Sequence, residues 1–474
     1  MALTNEQNYV IDSVLCSDDG KIIAVNSVAG SGKTSTADAL IRAYAPTTGF
    51  YTAFNKAIVE DSKKRFGNLI TAKTIHALAY QYVKPKRKIE ELTYTTIKEP
   101  ISYEDKAMVI DSLDDFFRSS YVDIYDYATT RTKDESLQEL IVNYAEMMLE
   151  GKIPPTFNYT LKCLHLMLLH KEITIDFDLL ILDECQDTTA VTLEIFKLIN
   201  AKHKVMFGDK YQNIYSFMNT VNAFDELDNI NLLRLTKSFR CNPDIASIID
   251  EYGKCYLEDS FVFKGNEDIK KESQFKVAYI TRTNAMLIER MFHLMNEGQS
   301  FTLTRSPNQI FDLPIAMLNA ANGKEVFNKK YKFLEKEYKN FDKVRRNYRS
   351  FYEYINSIME DPLIEMVTKV LGNFATKRIN IYDVKAKVLT LKPNPNIVLT
   401  TAHAFKGLEM DNVFIEDDLN SSVNRTILRM KDLTTIVEGN PRLYLSKEQK
   451  EDLNTYYVAL SRARTNVVNV KYLS

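Results

Sequence analysis

Lys33 and Thr34 close a loop of small residues, Asn26-Ser27-Val28-Ala29-Gly30-Ser31-Gly32-Lys33-Thr34. Such a loop can do phosphate chemistry: glycines let backbone N–H groups turn inward around phosphate oxygens, a lysine reaches the terminal phosphates, and a hydroxyl holds Mg²⁺. The strict pattern has glycine where Ser27 stands. A second group, Asp183-Glu184, ends the apolar run Leu179-Leu180-Ile181-Leu182. There Asp183 would sit beside the Mg²⁺ bound at Thr34, and Glu184 would accept a proton from an attacking water. Downstream, Gly208-Asp209-Lys210-Tyr211-Gln212-Asn213-Ile214-Tyr215-Ser216-Phe217 interleaves polar groups with aromatics. That mixture suits a place where phosphate sensing meets base stacking, and alternating aromatics equally suit a packed core. Gln7 could read an adenine edge, because its amide both donates and accepts; a surface glutamine is the plain alternative.

These residues need strand ends and helix starts to hold them. Ile22 to Val25 reads as a buried strand and Ser35 to Ile41 as the start of a helix, flanking the loop. Residues 3–16 carry helical periodicity, with Val10, Ile11, Val14 and Leu15 on one side. Strands are expected at Gly49–Phe54, Leu69–Ala72, Phe177–Leu182 and Lys204–Phe207, with a helix opening at Asn55-Lys56-Ala57. Strand–helix–strand alternation builds open parallel sheets whose strand ends form binding edges. Residues 87–170 break the rhythm with helical periodicity and read as a helical insertion.

Leu233 to Arg240 brings an arginine to the end of a strand. A second α/β rhythm follows, with strands at Val277–Arg282 and Asn396–Thr400, a helix from Ala285 to Met295, and a helix from Tyr456 to Arg464 carrying Arg462 and Arg464. Residues 309–390 are mostly helical and charged, and 324–349 hold ten Lys/Arg against four Asp/Glu with six interspersed Phe and Tyr. That segment could track a nucleic-acid backbone or be a solvated helix with one apolar face. The expected division is 1–86 with 171–233, an insertion at 87–170, then 234–308 with 391–474, and a reduced insertion at 309–390.

At 474 residues the chain calls for two to four domains. Its 45% apolar and 26% charged content are those of an ordinary globular protein. There is no apolar run of membrane-spanning length and no signal-peptide pattern, so a cytoplasmic protein, nuclear in a eukaryote, is expected. Five cysteines without C-x-x-C spacing argue against a zinc site and for a reducing compartment. A net charge of −2 neither advertises nor excludes a local basic groove.

Six stretches occur in the order seen in superfamily 1 helicases of the UvrD/Rep/PcrA type: Asn55-Lys56-Ala57, Asp183 to Asp187, Gly208 to Phe217, Ser238-Phe239-Arg240, Thr401 to Glu409, and Tyr457 to Ala463. The chain resembles that family, and the wording around 50–57 and 451–464 is similar to its F-box helicase branch. The resemblance implies an α/β fold of two RecA-like P-loop lobes with parallel sheets, each carrying a mainly helical insertion. It implies ATP and Mg²⁺ as cofactors, held by Gln7, Ala29, Gly30, Ser31, Gly32, Lys33, Thr34, Phe239 and Glu409, with Thr34 and Asp183 on the metal. Phe239 would stack on adenine and Glu409 would lie near the ribose. Glu184 would be the catalytic base, Gln212 would sense the γ-phosphate, and Arg240 and Arg462 would act as arginine fingers. Phe54, Asn55, His76, Tyr215, Phe217 and His403 would line a single-strand track.

The implied activity is ATP-driven 3′→5′ movement on single-stranded DNA with strand separation. A translocase that strips proteins with little unwinding, or a nucleic-acid-binding NTP switch, are the alternatives. The implied partners are single-stranded DNA, its junctions with duplex, and replication or repair proteins, with the chain acting as a monomer and without a membrane.

Overall fold

The computed structural model describes the chain except residues 1, 54, 216–218, 228–229, 271–274, 360, 436–439 and 473–474. It divides into two compact units, Met1–Lys237 and Ser238–Ser474.

The first unit is built on a six-stranded sheet. In chain order its elements begin with α1 (Asn5–Leu15), β1 (Ile22–Ser27), α2 (Lys33–Tyr44), β2 (Gly49–Ala53), α3 (Lys56–Phe66), β3 (Thr71–Ala72) and α4 (Ile75–Val83). Four helices follow, α5 (Tyr103–Arg118), α6 (Ile124–Arg131), α7 (Glu135–Leu149) and α8 (Phe157–Leu169). The sheet resumes with β4 (Asp176–Asp183), then β5 (Thr188–Thr189), α9 (Ala190–Leu198), β6 (Asn200–Gly208), β7 (Thr220–Val221) and β8 (Asn231–Leu235). The sheet order is β3-β2-β4-β6-β1-β8. All its pairings are parallel, with Ile23 opposite Val205 and Leu180 opposite Lys204.

Strands buried on both faces read as unbroken apolar runs, and Leu179 to Leu182 is one. One face packs Val10, Ile11, Leu40 and Ile41; the other packs Leu78, Leu164, Val191 and Phe196. The helices α5 to α7 have a core of their own around Val109, Leu113, Phe116, Phe117, Ile141 and Tyr144. The expected boundary at 233/234 would cut β8, whose Leu233 and Leu235 pair with Val25 and Ser27 of β1. The strand stays whole in the first unit, and the division falls after Lys237.

The second unit carries α10 (Pro243–Tyr256), β9 (Val277–Thr281), α11 (Asn284–Asn296) and β10 (Thr302–Leu303). Next come α12 (Pro307–Ala321), α13 (Phe333–Val344), α14 (Phe351–Met359), α15 (Pro362–Thr376) and α16 (Ile381–Thr390). It closes with β11 (Ile397–Thr401), β12 (Met410–Ile415), α17 (Asp417–Thr434), α18 (Lys447–Leu460) and β13 (Ala463–Val468). Its sheet order is β10-β11-β9-β12-β13, again parallel.

Unlike the first insertion, the helices α12 to α16 share one core with α11 and β11, through Ile288, Met291, Phe311, Leu371 and Leu399. Within the basic segment 324–349, Leu334 and Phe341 are buried and Tyr338 packs against Phe351, so its aromatics form mainly an apolar helix face. The expected helix from Tyr456 to Arg464 is corrected. It ends at Leu460, and Ala463 begins β13 because the Arg462 carbonyl accepts the Met410 N–H and Ala463 pairs with Met410 of β12. No described helix is long and apolar enough to cross a membrane.

Candidate nucleotide site

The carboxyl ends of β1, β6 and β4, consecutive in the first sheet, carry the phosphate loop, Asp209 and Asp183. Gly30 (φ 73°) and Gly32 (φ 83°) hold left-handed backbone, which a side chain disfavours, and Gly32 caps the twelve-residue helix α2. The loop therefore ends on a helix N-terminus that starts with Lys33 and Thr34, an arrangement that favours anions. Ala29 is buried at the turn, and Ser31 keeps its hydroxyl buried without a hydrogen-bond partner. Ser27 is the buried last residue of β1, an extended position that any residue adopts, and its hydroxyl donates to the Val25 carbonyl. The departure from glycine there costs the loop nothing.

Lys33 Nζ donates to Glu184 Oε2 at 3.0 Å. Burial pulls the Lys33 pKa down, and the charges of Glu184, Asp183 and Asp209 more than reverse it, so the ammonium is held charged. Asp183 Oδ2 accepts the Tyr51 hydroxyl at 2.5 Å and Oδ1 accepts the Glu184 N–H at 2.9 Å. Burial and the neighbouring Glu184 push the Asp183 carboxyl up to about 6, against the pull of Lys33 and Tyr51. Gln186, fully buried, donates to Glu184 Oε2 at 2.7 Å and accepts the Asp209 N–H at 3.0 Å. Asp209 Oδ2 in turn accepts Gln212 Nε2 at 2.8 Å. One hydrogen-bonded chain thus joins Lys33, Glu184, Gln186, Asp209 and Gln212. Gly208 makes room for it, since a Cβ there would meet Gln186 Oε1 at 2.6 Å.

The donor set fits a magnesium–nucleotide pair. A helix N-terminus, an orphan hydroxyl and a lysine suit phosphate, while carboxylates that outnumber that lysine suit a divalent cation. Among the described residues no ready-made metal cage of three His, Cys, Asp or Glu exists. Mg²⁺ is ordinarily held by one or two carboxylates plus substrate phosphates, which is what Asp183 with Thr34 would offer. Gln7 reaches this loop's helix: its Nε2 donates to Thr36 at 3.0 Å, while its Oε1 accepts the Thr4 N–H in a capping box.

A family model for the UvrD-like helicase C-terminal domain matches residues 178–472, and an AAA domain model matches residues 14–218. The chain belongs to the UvrD-like helicase family. F-box DNA helicase 1 of Gallus gallus is 23% identical over 510 residues, covering 98% of this chain and 48% of that protein. F-box DNA helicase protein 1 of Schizosaccharomyces pombe is 24% identical over 539 residues, covering 98% of this chain and 57% of that protein. The chain spans about half the length of these relatives.

In the second unit of this member of the UvrD-like helicase family, Arg240 Nε donates to Glu409 Oε2 at 2.6 Å, and a second nitrogen donates to the Ser461 carbonyl. Glu409 also faces Arg464 at 3.8 Å, and Phe239 is half-buried beside Arg240. Arg462 is 1% exposed, with its guanidinium on the Val458 and Leu408 carbonyls and the Ser461 hydroxyl. In this arrangement it braces the turn between α18 and β13, and offering it to a nucleotide requires those bonds to be exchanged. His403 lies 3.4 Å from Glu451 of α18.

Of the expected strand-track residues, Phe54 and Phe217 lie outside the described residues. Asn55 is the N-cap of α3, and Tyr215 is half-buried after the Gln212 turn. His76 hydrogen-bonds Asn158 at 3.1 Å, and burial lowers its pKa, favouring the neutral ring. Phe157, 59% exposed at the start of α8, stands edge-on to His76 at 6.3 Å. Sequence reasoning missed Phe157, Asn158, Tyr51, Gln186 and Asp209 as site residues. Gln186 and Asp209 lay inside recognised motifs, whereas only folding brings Asn158 and Phe157 to His76.

Proposed function

We propose that this chain is an ATP-dependent DNA helicase or translocase that moves 3′→5′ along single-stranded DNA. The observation that carries the reading is the Lys33–Glu184–Gln186–Asp209–Gln212 chain running along the sheet edge from the phosphate loop. Lys33 would exchange Glu184 for phosphate oxygens, which frees Glu184 to take a proton from water while Gln186 holds its carboxylate in place. Gln212, oriented by Asp209, would report whether the terminal phosphate is present. Mg²⁺ would neutralise phosphate charge, with Asp183 and Thr34 holding it. Arg240 would add positive charge to the transferring phosphoryl group, and Arg462 would do so after rearrangement. Phe239 and Gln7 would hold the adenine, and Glu409 the ribose.

The DNA substrate follows the names of the relatives. Asn55, His76, Tyr215 and His403, with Phe157 beside His76, offer the stacking and polar groups that a single strand needs. ATP hydrolysis measured with and without oligo-dT tests the motor reading, and no stimulation by the oligonucleotide would sink it. Duplexes with a 3′ or a 5′ single-stranded tail test direction: unwinding from the 3′ tail is expected, and unwinding only from the 5′ tail would reverse the assignment.

A further inference from the structure

We propose that Tyr51 is a positioning residue for the Asp183 carboxylate, an inference that rests on the nucleotide-hydrolysis reading above. Tyr51 lies within β2, where its backbone is opposite Ile181 of β4 and Ala53 is opposite Asp183. The side chain is fully buried and packs edge-on against Phe66 at 5.0 Å. A phenylalanine would fill that space equally well, so the hydroxyl is the atom to explain. A buried hydroxyl is costly unless it is hydrogen-bonded, and this one donates to Asp183 Oδ2 at 2.5 Å. Ser62 of α3, also buried, neighbours the Tyr51 phenol.

Asp183 is therefore held by two donors from different places: its neighbour's N–H on Oδ1 and the Tyr51 hydroxyl on Oδ2. A carboxylate has about four lone-pair sites, so each oxygen keeps one for a cation. With both oxygens tied, the plane of the carboxylate cannot swing about the terminal bond of the side chain. A donor that orients a metal-binding group in this way typically accounts for about 10- to 100-fold in metal affinity or activity.

Tyr51→Phe keeps the ring and removes the hydroxyl. Mn²⁺ titration by electron paramagnetic resonance, with a non-hydrolysable ATP analogue bound, reads the metal affinity directly. We expect it to weaken about 10-fold. The Mg²⁺ needed for half-maximal hydrolysis should rise in parallel, while binding of a fluorescent ATP analogue in EDTA stays unchanged. Equal metal affinity in Tyr51→Phe and the unsubstituted protein would overturn the proposal, even if the variant melts at a lower temperature. Should Tyr51→Phe not fold, Ser62→Ala is titrated with Mn²⁺ in the same way: weaker metal binding with unchanged nucleotide binding in EDTA supports the proposal, and unchanged metal binding overturns it. An unsubstituted protein that shows no metal-dependent nucleotide binding would overturn the hydrolysis reading and this inference together.

Discussion

Glu184 sits in the left-handed region at φ 53°, a conformation that costs a non-glycine residue about 1–3 kcal/mol and so points to a functional position. It aims the carboxylate at Lys33 and Gln186, which hold it there. Because Glu184 and phosphate would compete for Lys33, Glu184→Gln is expected to bind ATP several-fold more tightly while its kcat falls about 10²- to 10⁴-fold. A fluorescent-nucleotide titration beside steady-state ATPase measurements separates the two effects; weaker binding would contradict the competition. Lys33→Ala should abolish hydrolysis. It also leaves Asp183 and Glu184 without their cation, so the variant should melt at a lower temperature than the unsubstituted protein.

The first insertion is tied together by α8, whose Lys162 donates to the Ser119 and Tyr121 carbonyls after α5. One turn on, His165 is buried with its Nδ1 unpartnered, and burial together with the Lys162 charge lowers its pKa to about 4. Its folded pKa lies below the unfolded value near 6.5, so between those values the unfolded chain binds more protons and stability rises with pH. Acidification from pH 7 towards pH 4 should therefore cost the insertion about 2–3 kcal/mol. His165→Leu should flatten that window, and amide exchange across α5 to α8 at pH 5 and pH 7.5 measures it. The insertion itself was legible because 87–170 loses strand alternation. Strands β1 and β4 were legible because their apolar runs are unbroken. Among the helices that went unread, two carried clear signals: Asn242-Pro243 is a cap followed by a first-turn proline, and Leu419, Val423, Ile427 and Met430 share one face of α17. The helix expected through Arg464 stopped at Leu460 because pairing with β12 overrides local helical preference, and such pairing partners are distant in sequence. Tyr51 was invisible as a site residue for the same reason, since its role depends on β2 pairing with β4.

At the scale of the whole molecule, the phosphate loop and both acidic residues belong to the first unit, whereas Arg240, Glu409 and Arg462 belong to the second. A motor needs hydrolysis to depend on both units, because a reaction completed within one would have no reason to move the other. Arg240 is the sharper probe of that dependence, since its side chain, paired with the half-exposed Glu409 carboxylate, keeps 13% of its surface exposed while Arg462 is enclosed. Arg240→Ala is expected to bind ATP nearly as well as the unsubstituted protein and to lose on the order of 10³-fold in kcat. Phe157→Ala should behave oppositely, keeping basal hydrolysis and losing much of the stimulation by oligo-dT, because removal of a stacking aromatic costs about 1–3 kcal/mol per base. Steady-state kinetics of both variants with and without oligo-dT tests the pair. If Arg240→Ala hydrolyses ATP at the unsubstituted rate, the first unit is a self-sufficient ATPase and coupling must run through other residues. If Phe157→Ala keeps full stimulation, the strand does not pass His76.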